Sequence, residues 1–199
     1  MSHPKEQLLQ IHVALAADPV MCLGNLAITN QANIARIQFL RRAYVRAVFA
    51  YIEGMVFAMK QFSYEYRIQP ESSSTRPELA MLLEESYELN DKGVARTAPA
   101  KIPLEKNIKF AFKAFAKAGH SDYELPISDH GWEELKKSTR IRDRLMHPKN
   151  ANDMSVSEAE HSTVRIAHSW FMNCSTASVG SIRELIKYNL SYPPEETTQ

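Results

Sequence analysis

The feature that most constrains the fold of this chain is a long helical pattern that covers residues 33 to about 66. Apolar side chains recur there at the three- and four-residue spacing of one helix face, most regularly from Tyr44 onward. Gln38 and Arg41 interrupt this face in its first turns, and Phe39 lies away from it. A helix of this length needs other helices to cover its apolar face, so the pattern predicts a helical bundle.

Five other helices are predicted from capping residues and stop signals, and they cover 4–17, 75–85, 104–118, 128–147 and 155–189. Asp18-Pro19 is expected to end the first helix, and the short apolar segment 21–28 is left unassigned. Gly119 is expected to cap the helix over 104–118. A capping box of Ser155 and Glu158 begins the last helix, in which Gly180 predicts a kink or a break.

Residues 87–103 carry no helical period and contain Asn90-Asp91-Lys92-Gly93 and two prolines. This composition predicts an irregular connector or a β-hairpin that turns near residues 91–93. Such a segment is either a surface insertion or a cover over a substrate site. The whole pattern predicts an all-α fold, an antiparallel bundle of five to six helices in one domain over 1–190, followed by a flexible tail over 191–199.

The composition is that of a soluble globular protein: the 199 residues are 44% hydrophobic and 24% charged, with a formal net charge of +1. Any affinity for RNA must therefore come from local basic patches, such as Lys136, Lys137, Arg140, Arg142, Arg144 and Lys149. Cys22 and Cys174 lack metal-ligand spacing and suit a reducing compartment, and the polar N-terminus lacks the apolar core of a signal peptide. The apolar run over 43–59 is interrupted by Arg46 and Glu53, which makes it a poor membrane span. We expect a cytoplasmic protein that crosses no membrane.

The residues that carry chemistry are concentrated at 138–148, Ser-Thr-Arg-Ile-Arg-Asp-Arg-Leu-Met-His-Pro. Three arginines, one aspartate and one histidine lie there within eight positions, namely Arg140, Arg142, Asp143, Arg144 and His147. Pro148 stops the predicted helix directly after the histidine.

These residue types suit the chemistry of RNA. Histidine gives or takes a proton near neutral pH, and arginine presents a planar fork of donors to phosphate oxygens. RNA carries its own nucleophile, the 2′-hydroxyl, beside each phosphodiester. A metal-free ribonuclease therefore needs a base for that hydroxyl and a cation for the charge that develops at phosphorus. One histidine and one or two arginines can supply both, best when two copies of the motif meet.

The segment Arg142-Asp143-x-x-x-His147 resembles the R-x4–6-H motif of HEPN domains, all-α proteins common in toxins, abortive-infection systems and RNA-guided defence nucleases. Motifs of that family often carry Asn, Asp or His directly after the arginine and lie near the end of a helix, often before a proline. Asp143 and Pro148 fit both habits. Where some family toxins have a Tyr two places after the His, this chain has Lys149, which argues against regulation through such a Tyr.

The resemblance implies a bundle that dimerises with two motifs facing each other and cleaves RNA without a metal or cofactor, leaving a 2′,3′-cyclic phosphate. His147 would act as general base or acid, Arg142 would hold the phosphate and stabilise the transition state, and Asp143 would orient either one. The local basic patch adds substrate-binding candidates, Arg140, Arg144 and Lys149. The implied partners are RNA, a second copy of the chain and an antitoxin or other regulatory protein.

Helix geometry leaves the choice of arginine open. On an ideal helix Arg140, Asp143 and His147 share one face, whereas Arg142 falls elsewhere. A residue before proline is pushed out of the helical region, however, so His147 is expected to leave the helix. The family pattern favours Arg142, and Arg140 is the second candidate because it satisfies the longer spacing.

Simpler interpretations compete with the nuclease. A basic run at a helix C-terminus is favoured by the macrodipole alone, and His-Pro is a plain helix stop. The chain could then be a non-catalytic HEPN-like module that binds nucleotide, RNA or protein, or a plain helical scaffold. Two His147 imidazoles facing one basic cleft would favour the nuclease, whereas Arg142 in internal ion pairs would favour the other two.

Two features outside the motif could contribute to it. Glu53 lies among apolar neighbours and either pairs with Arg142 or, as we expect, is an exposed glutamate on the far side of its helix. His161, Arg165 and His168 share one face of the last helix and could extend the phosphate site, but we expect surface or interface histidines. A single Glu-x-x-His provides too few ligands for a metal.

Overall fold

The structure, a computed structural model, describes residues 4–67 and 75–191, with side chains over 8–66 and 75–182. Its helices are α1 Pro4–Ile28, α2 Ile34–Arg67, α3 Arg76–Leu82, α4 Leu104–Ala118, α5 His130–Met146 and α6 Glu158–Ser191. A short 3-10 helix, Ala151–Met154, and two strands, β1 Glu85–Leu89 and β2 Ala95–Pro99, complete the described elements. The predicted all-α helical bundle is confirmed, and residues 192–199 of the predicted tail lie outside the described residues.

The described residues divide into two compact units that are each assembled from separate stretches of chain. The first contains α1, α2 as far as Met55, and the stretch Pro126–Cys174 with α5 and the beginning of α6. The second contains the end of α2, then α3, the β-hairpin and α4, and the end of α6 from Ser175. The predicted catalytic motif belongs to the first unit.

The apolar face of α2 forms the centre of the first unit, where Tyr44, Val48, Ile52 and Met55 are fully buried. Gln38, which interrupts this apolar face, binds the backbone of the segment that leads into α6. Gln38 accepts a hydrogen bond from the backbone N–H of Val156 (2.9 Å) and donates one to its carbonyl (3.0 Å). Satisfying both groups allows Val156 itself to be completely buried.

The expectation that Asp18-Pro19 ends the first helix is wrong, because α1 continues through Pro19 to Ile28. A proline inside a helix removes one backbone hydrogen bond and costs roughly 3 kcal/mol. The Leu15 side chain packs against α2 at Gly54, where an added Cβ would come within 2.3 Å of Leu15 Cδ1. Among the described residues, one helical segment, Leu8–Ile28, is long and apolar enough to cross a membrane by length and composition, and 6% of its most apolar window is buried.

In the second unit the predicted β-hairpin is confirmed over Glu85–Pro99, with antiparallel register and Gly93 at a positive φ of 70° in the turn. The predicted helix over 104–118 is also confirmed. Gly119 caps it with a negative φ of −92°, so the left-handed conformation is not what requires glycine there. A Cβ on Gly119 would instead come within 2.2 Å of Ile182 Cδ1, which requires a residue without a side chain.

The last helix begins later than predicted. The capping box is formed by Ser157 and Glu160, since the Ser157 hydroxyl accepts from the Glu160 N–H (3.1 Å) and the Glu160 carboxylate accepts from the Ser157 N–H (2.9 Å). The predicted box of Ser155 and Glu158 is therefore wrong by two residues. The helix passes Gly180 without a break.

Candidate functional site

The predicted motif lies at the C-terminal end of α5, where Ile141 and Leu145 are buried in the first unit. The helix ends as predicted. The N–H of His147 still donates to the carbonyl of Asp143 (3.0 Å), but its φ and ψ of −128° and 58° are no longer helical. Pro148 follows, and the imidazole of His147 is exposed. The histidine is therefore presented to solvent at the point where the chain leaves the helix.

The guanidinium of Arg142 is held between two carboxylates. One terminal nitrogen forms an ion pair with Glu53 of α2, and the other lies 2.9 Å from Oδ1 of Asp143. The guanidinium carbon is 5.4 Å from the centre of the Phe49 ring, within cation–π range. Because 28% of the Arg142 side chain and 46% of the Glu53 side chain are exposed, this arrangement remains accessible to a ligand.

This contact corrects one expectation and bears on another. Glu53 is exposed, but it faces α5 and not the far side of its helix, so the pairing with Arg142 that the sequence left open is present. Two carboxylates around Arg142 also meet the condition that favours a binding module or a scaffold over a nuclease. The contacts of Arg142 with Glu53 and Asp143 therefore have two consequences: they orient its guanidinium, and they neutralise its charge.

The guanidinium of Arg144 is fully engaged in contacts with the segment that follows the motif. Its guanidinium donates to the carbonyls of Asp153 (3.0 Å) and Ser155 (2.9 Å) and forms an ion pair with Glu160 at 2.6 Å. These contacts fix the segment that follows the motif and connect it to the first turn of α6. The donors of Arg144 are therefore occupied by these contacts and are not presented to a substrate.

Most of the predicted basic patch is neutralised. Lys136 pairs with Glu133 and Lys137 with Glu134, each at 2.6 Å, and Arg142 and Arg144 are paired as described. Within the part of the chain that the structure describes, the exposed side chains of Arg140 and Lys149 form no ion pair. Contacts to a phosphate backbone at this end of α5 therefore depend chiefly on these two residues.

The expectation of surface or interface histidines in α6 is wrong, because His161 and His168 are each only 5% exposed. The Tyr44 hydroxyl lies 3.0 Å from Nδ1 of His168, and the Tyr44 ring stacks edgewise on His161 with ring centres 5.1 Å apart. Burial lowers the pKa of His168 to about 4. Burial is also the main cause that lowers the pKa of His161; the charge of Glu158 opposes this shift, and those of Arg41 and Arg165 add to it.

A buried cluster of tyrosines and histidines was not predicted as such. Tyr51 completes it, with its hydroxyl 3.1 Å from Nδ1 of His12 and its ring edge-on to His168. The sequence contains a signal for this cluster: Tyr44 and Tyr51 are seven residues apart on α2, and so are His161 and His168 on α6. Two matching seven-residue spacings on long amphipathic helices predict aromatic residues that face each other.

Among the described residues, no group of three or more His, Cys, Asp or Glu side chains is placed to hold a metal ion. Comparison with known proteins gave no match to a protein-family model, to a curated protein or to a solved structure. The resemblance to HEPN domains therefore remains a prediction that rests on the motif residues and the all-α fold.

Proposed function

We propose that this protein is a metal-independent endoribonuclease of the HEPN type that works as a homodimer. One observation carries the proposal: Arg142 is oriented by Glu53 and Asp143 at the same helix end from which His147 emerges, exposed, before Pro148. An arginine held by two carboxylates and an exposed histidine at the same helix end are the two groups that cleavage of RNA requires.

In the proposed reaction the 2′-oxygen attacks the adjacent phosphorus and the bond from phosphorus to the 5′-oxygen breaks. His147 takes the proton of the 2′-hydroxyl, and the leaving 5′-oxygen takes a proton from His147 of the second copy or from water. Arg142 neutralises the charge that develops on the phosphorane oxygens. The products are a 2′,3′-cyclic phosphate and a free 5′-hydroxyl, and no metal or redox step is needed.

Arg140 and Lys149 are the proposed contacts to the RNA backbone, because both are exposed and outside the ion pairs of the described residues. In a toxin or phage-defence setting, the same surface would be the target of a neutralising protein in the cytoplasm. An acidic partner could occupy it in place of RNA.

The second candidate is a non-catalytic module that binds RNA. The carboxylates on both sides of Arg142 favour it, because they offset the charge that a transition state would use. In that case Arg140 and Lys149 would supply affinity, and His147 would be dispensable.

The test is cleavage of mixed single-stranded RNA in EDTA by wild type, His147→Ala and Arg142→Ala. Arg36→Ala is the matched control, since Arg36 is an exposed arginine at the start of α2 that does not belong to the motif. Cleavage that persists in EDTA, leaves cyclic phosphate ends and is lost in both motif variants but not in the control supports the nuclease. RNA binding without cleavage, weakened by Arg140→Ala and unchanged by His147→Ala, overturns the nuclease in favour of the binding module.

A further inference from the structure

A cavity of about 380 Å³ lies in the first unit, away from the motif. Its apolar lining comes from α1 and from the start of α2, with Leu23, Leu26 and Ile37 among the lining residues. The opposite part is polar and is provided by α2 and α6. Its volume is within the range of cavities that hold small organic molecules, and a mostly apolar wall with a few convergent polar groups is the usual form of such sites.

The polar part contains a buried group without a partner. His161 lines the cavity and is 5% exposed, and its Nε2 makes no hydrogen bond with any described residue. Its Nδ1 lies 3.9 Å from Glu158. Nε2 is itself buried, so His161 contributes part of its ring to the lining and does not offer this nitrogen to a ligand.

The charges around His161 favour an anionic head. The guanidinium of Arg41 already has partners, since it pairs with Glu158 and donates to the carbonyl of Val156 at 3.1 Å. Arg165 also lines the cavity, and no ion pair or hydrogen bond joins its side chain to a residue that the structure describes. Two arginines against one glutamate leave a single uncompensated positive charge in the lining.

We propose that this cavity binds a small organic monoanion, a carboxylate with a short apolar body. The carboxylate would accept hydrogen bonds from the Arg165 guanidinium, and the apolar body would lie against Leu23, Leu26 and Ile37. A monoanion is favoured over a dianion because it balances the single excess charge. This site is independent of the proposed RNA cleavage and shares no residue with it.

The test uses the full chain and four probes in isothermal titration calorimetry: hexanoate, 1-hexanol, acetate and inorganic phosphate. Hexanoate is expected to bind at least about tenfold more tightly than any of the other three, because it alone combines the charge with the apolar body. Equal affinity for 1-hexanol would reduce the site to an apolar cavity and overturn the proposal. Acetate or phosphate binding as tightly as hexanoate would show that the apolar wall does not contribute to affinity, and would overturn the proposal.

Variants locate the binding. Arg165→Gln is expected to weaken hexanoate binding about tenfold or more, while Arg46→Gln, which removes an exposed arginine of α2 outside the cavity, leaves it unchanged. Ala27→Phe, at an exposed lining position, is expected to abolish binding by filling the space without changing any charge. Hexanoate binding that survives both Arg165→Gln and Ala27→Phe would place the ligand elsewhere and overturn the proposal. RNA cleavage is measured in a separate assay, so its presence or loss does not affect the interpretation of hexanoate binding.

Discussion

Glu53 and Arg142 are 89 residues apart in the chain and form an ion pair that joins α2 to α5. Asp143, on the other side of the guanidinium, completes a carboxylate–arginine–carboxylate row. Both partners of the long-range pair are partly exposed, at 46% and 28%, and exposed pairs contribute only about 0–1 kcal/mol to stability. The consequence of the pair is therefore expected in the position of Arg142 more than in the free energy of unfolding.

Glu53→Gln separates these two effects. We expect the free energy of unfolding to fall by less than about 1 kcal/mol, and the rate of RNA cleavage in EDTA to fall by about tenfold or more, because the guanidinium loses the partner that orients it. The matched control is Glu133→Gln, which removes an exposed carboxylate paired with Lys136 on α5. An unchanged cleavage rate in Glu53→Gln would show that the pair has no positioning role.

Arg144 is predicted to differ from its neighbour Arg140 in the kind of defect it causes. Arg144→Gln removes donors from two backbone carbonyls and from Glu160, so we expect the free energy of unfolding to fall by about 1–3 kcal/mol. Arg140→Gln removes an exposed side chain, and we expect unchanged stability with weaker RNA binding and a smaller salt dependence. Urea unfolding measures the stability of the two variants, and RNA titrations at two salt concentrations measure their affinity for RNA and its salt dependence. The same defect in both variants would contradict the division of roles.

The sequence predicted the helices with strong periodicity and strong caps. The long α2 and the helix over 104–118 were predicted nearly to the residue, because an apolar period and clear start signals are local properties. The exit of His147 from its helix followed from Pro148 alone. These predictions needed no knowledge of which helices contact each other.

The errors concern contacts between distant segments. Pro19 was expected to end α1, but the helix continues, and its contact of Leu15 with Gly54 is one that no local rule contains. The position of Glu53 depended on which helix lies beside α2, and the burial of His161 and His168 depended on the same arrangement. The neutralisation of the basic patch likewise required knowing that Glu53 and Glu160 face α5. Periodicity identifies an apolar face but not its partner.

Two glycines are predicted to respond in opposite directions to alanine. A Cβ on Gly131 would lie 2.2 Å from Cγ of the Trp170 ring, which cannot move easily, so Gly131→Ala is expected to lower the free energy of unfolding by about 1–3 kcal/mol. Gly180 is exposed inside α6 with no atom within 4 Å of such a Cβ, so Gly180→Ala is expected to raise it by about 0.5–1 kcal/mol. Chemical denaturation of the two variants beside wild type is the measurement. A stabilised Gly131→Ala would mean that the contact with Trp170 is not close.

The last prediction concerns the buried His168, whose pKa is lowered to about 4 from its ordinary 6.5 because burial disfavours the charged ring. Above pH 6.5 the ring is neutral in both the folded and the unfolded chain, and the stability it allows is fully present. As pH falls through 6.5 the unfolded chain binds a proton that the folded chain does not, so stability falls until about pH 4. The total loss from this group is at most about 3 kcal/mol, of which about 2 kcal/mol is lost by pH 5.

His168→Gln keeps a polar partner for the Tyr44 hydroxyl but cannot take up the proton. Urea unfolding at pH 7.5 and pH 5 should therefore show a loss of stability that is about 2 kcal/mol smaller in this variant than in wild type. The quantity compared is the difference in unfolding free energy between the two pH values, not the free energy at either pH. This difference cancels the cost of the substitution itself and the contributions of His161 and the carboxylates, which both proteins share. His147→Gln is the matched control, since it makes the same substitution at an imidazole that is exposed instead of buried. If His168→Gln loses as much stability as wild type between the two pH values, then the ring is protonated equally in both states and is not shielded from water by α2.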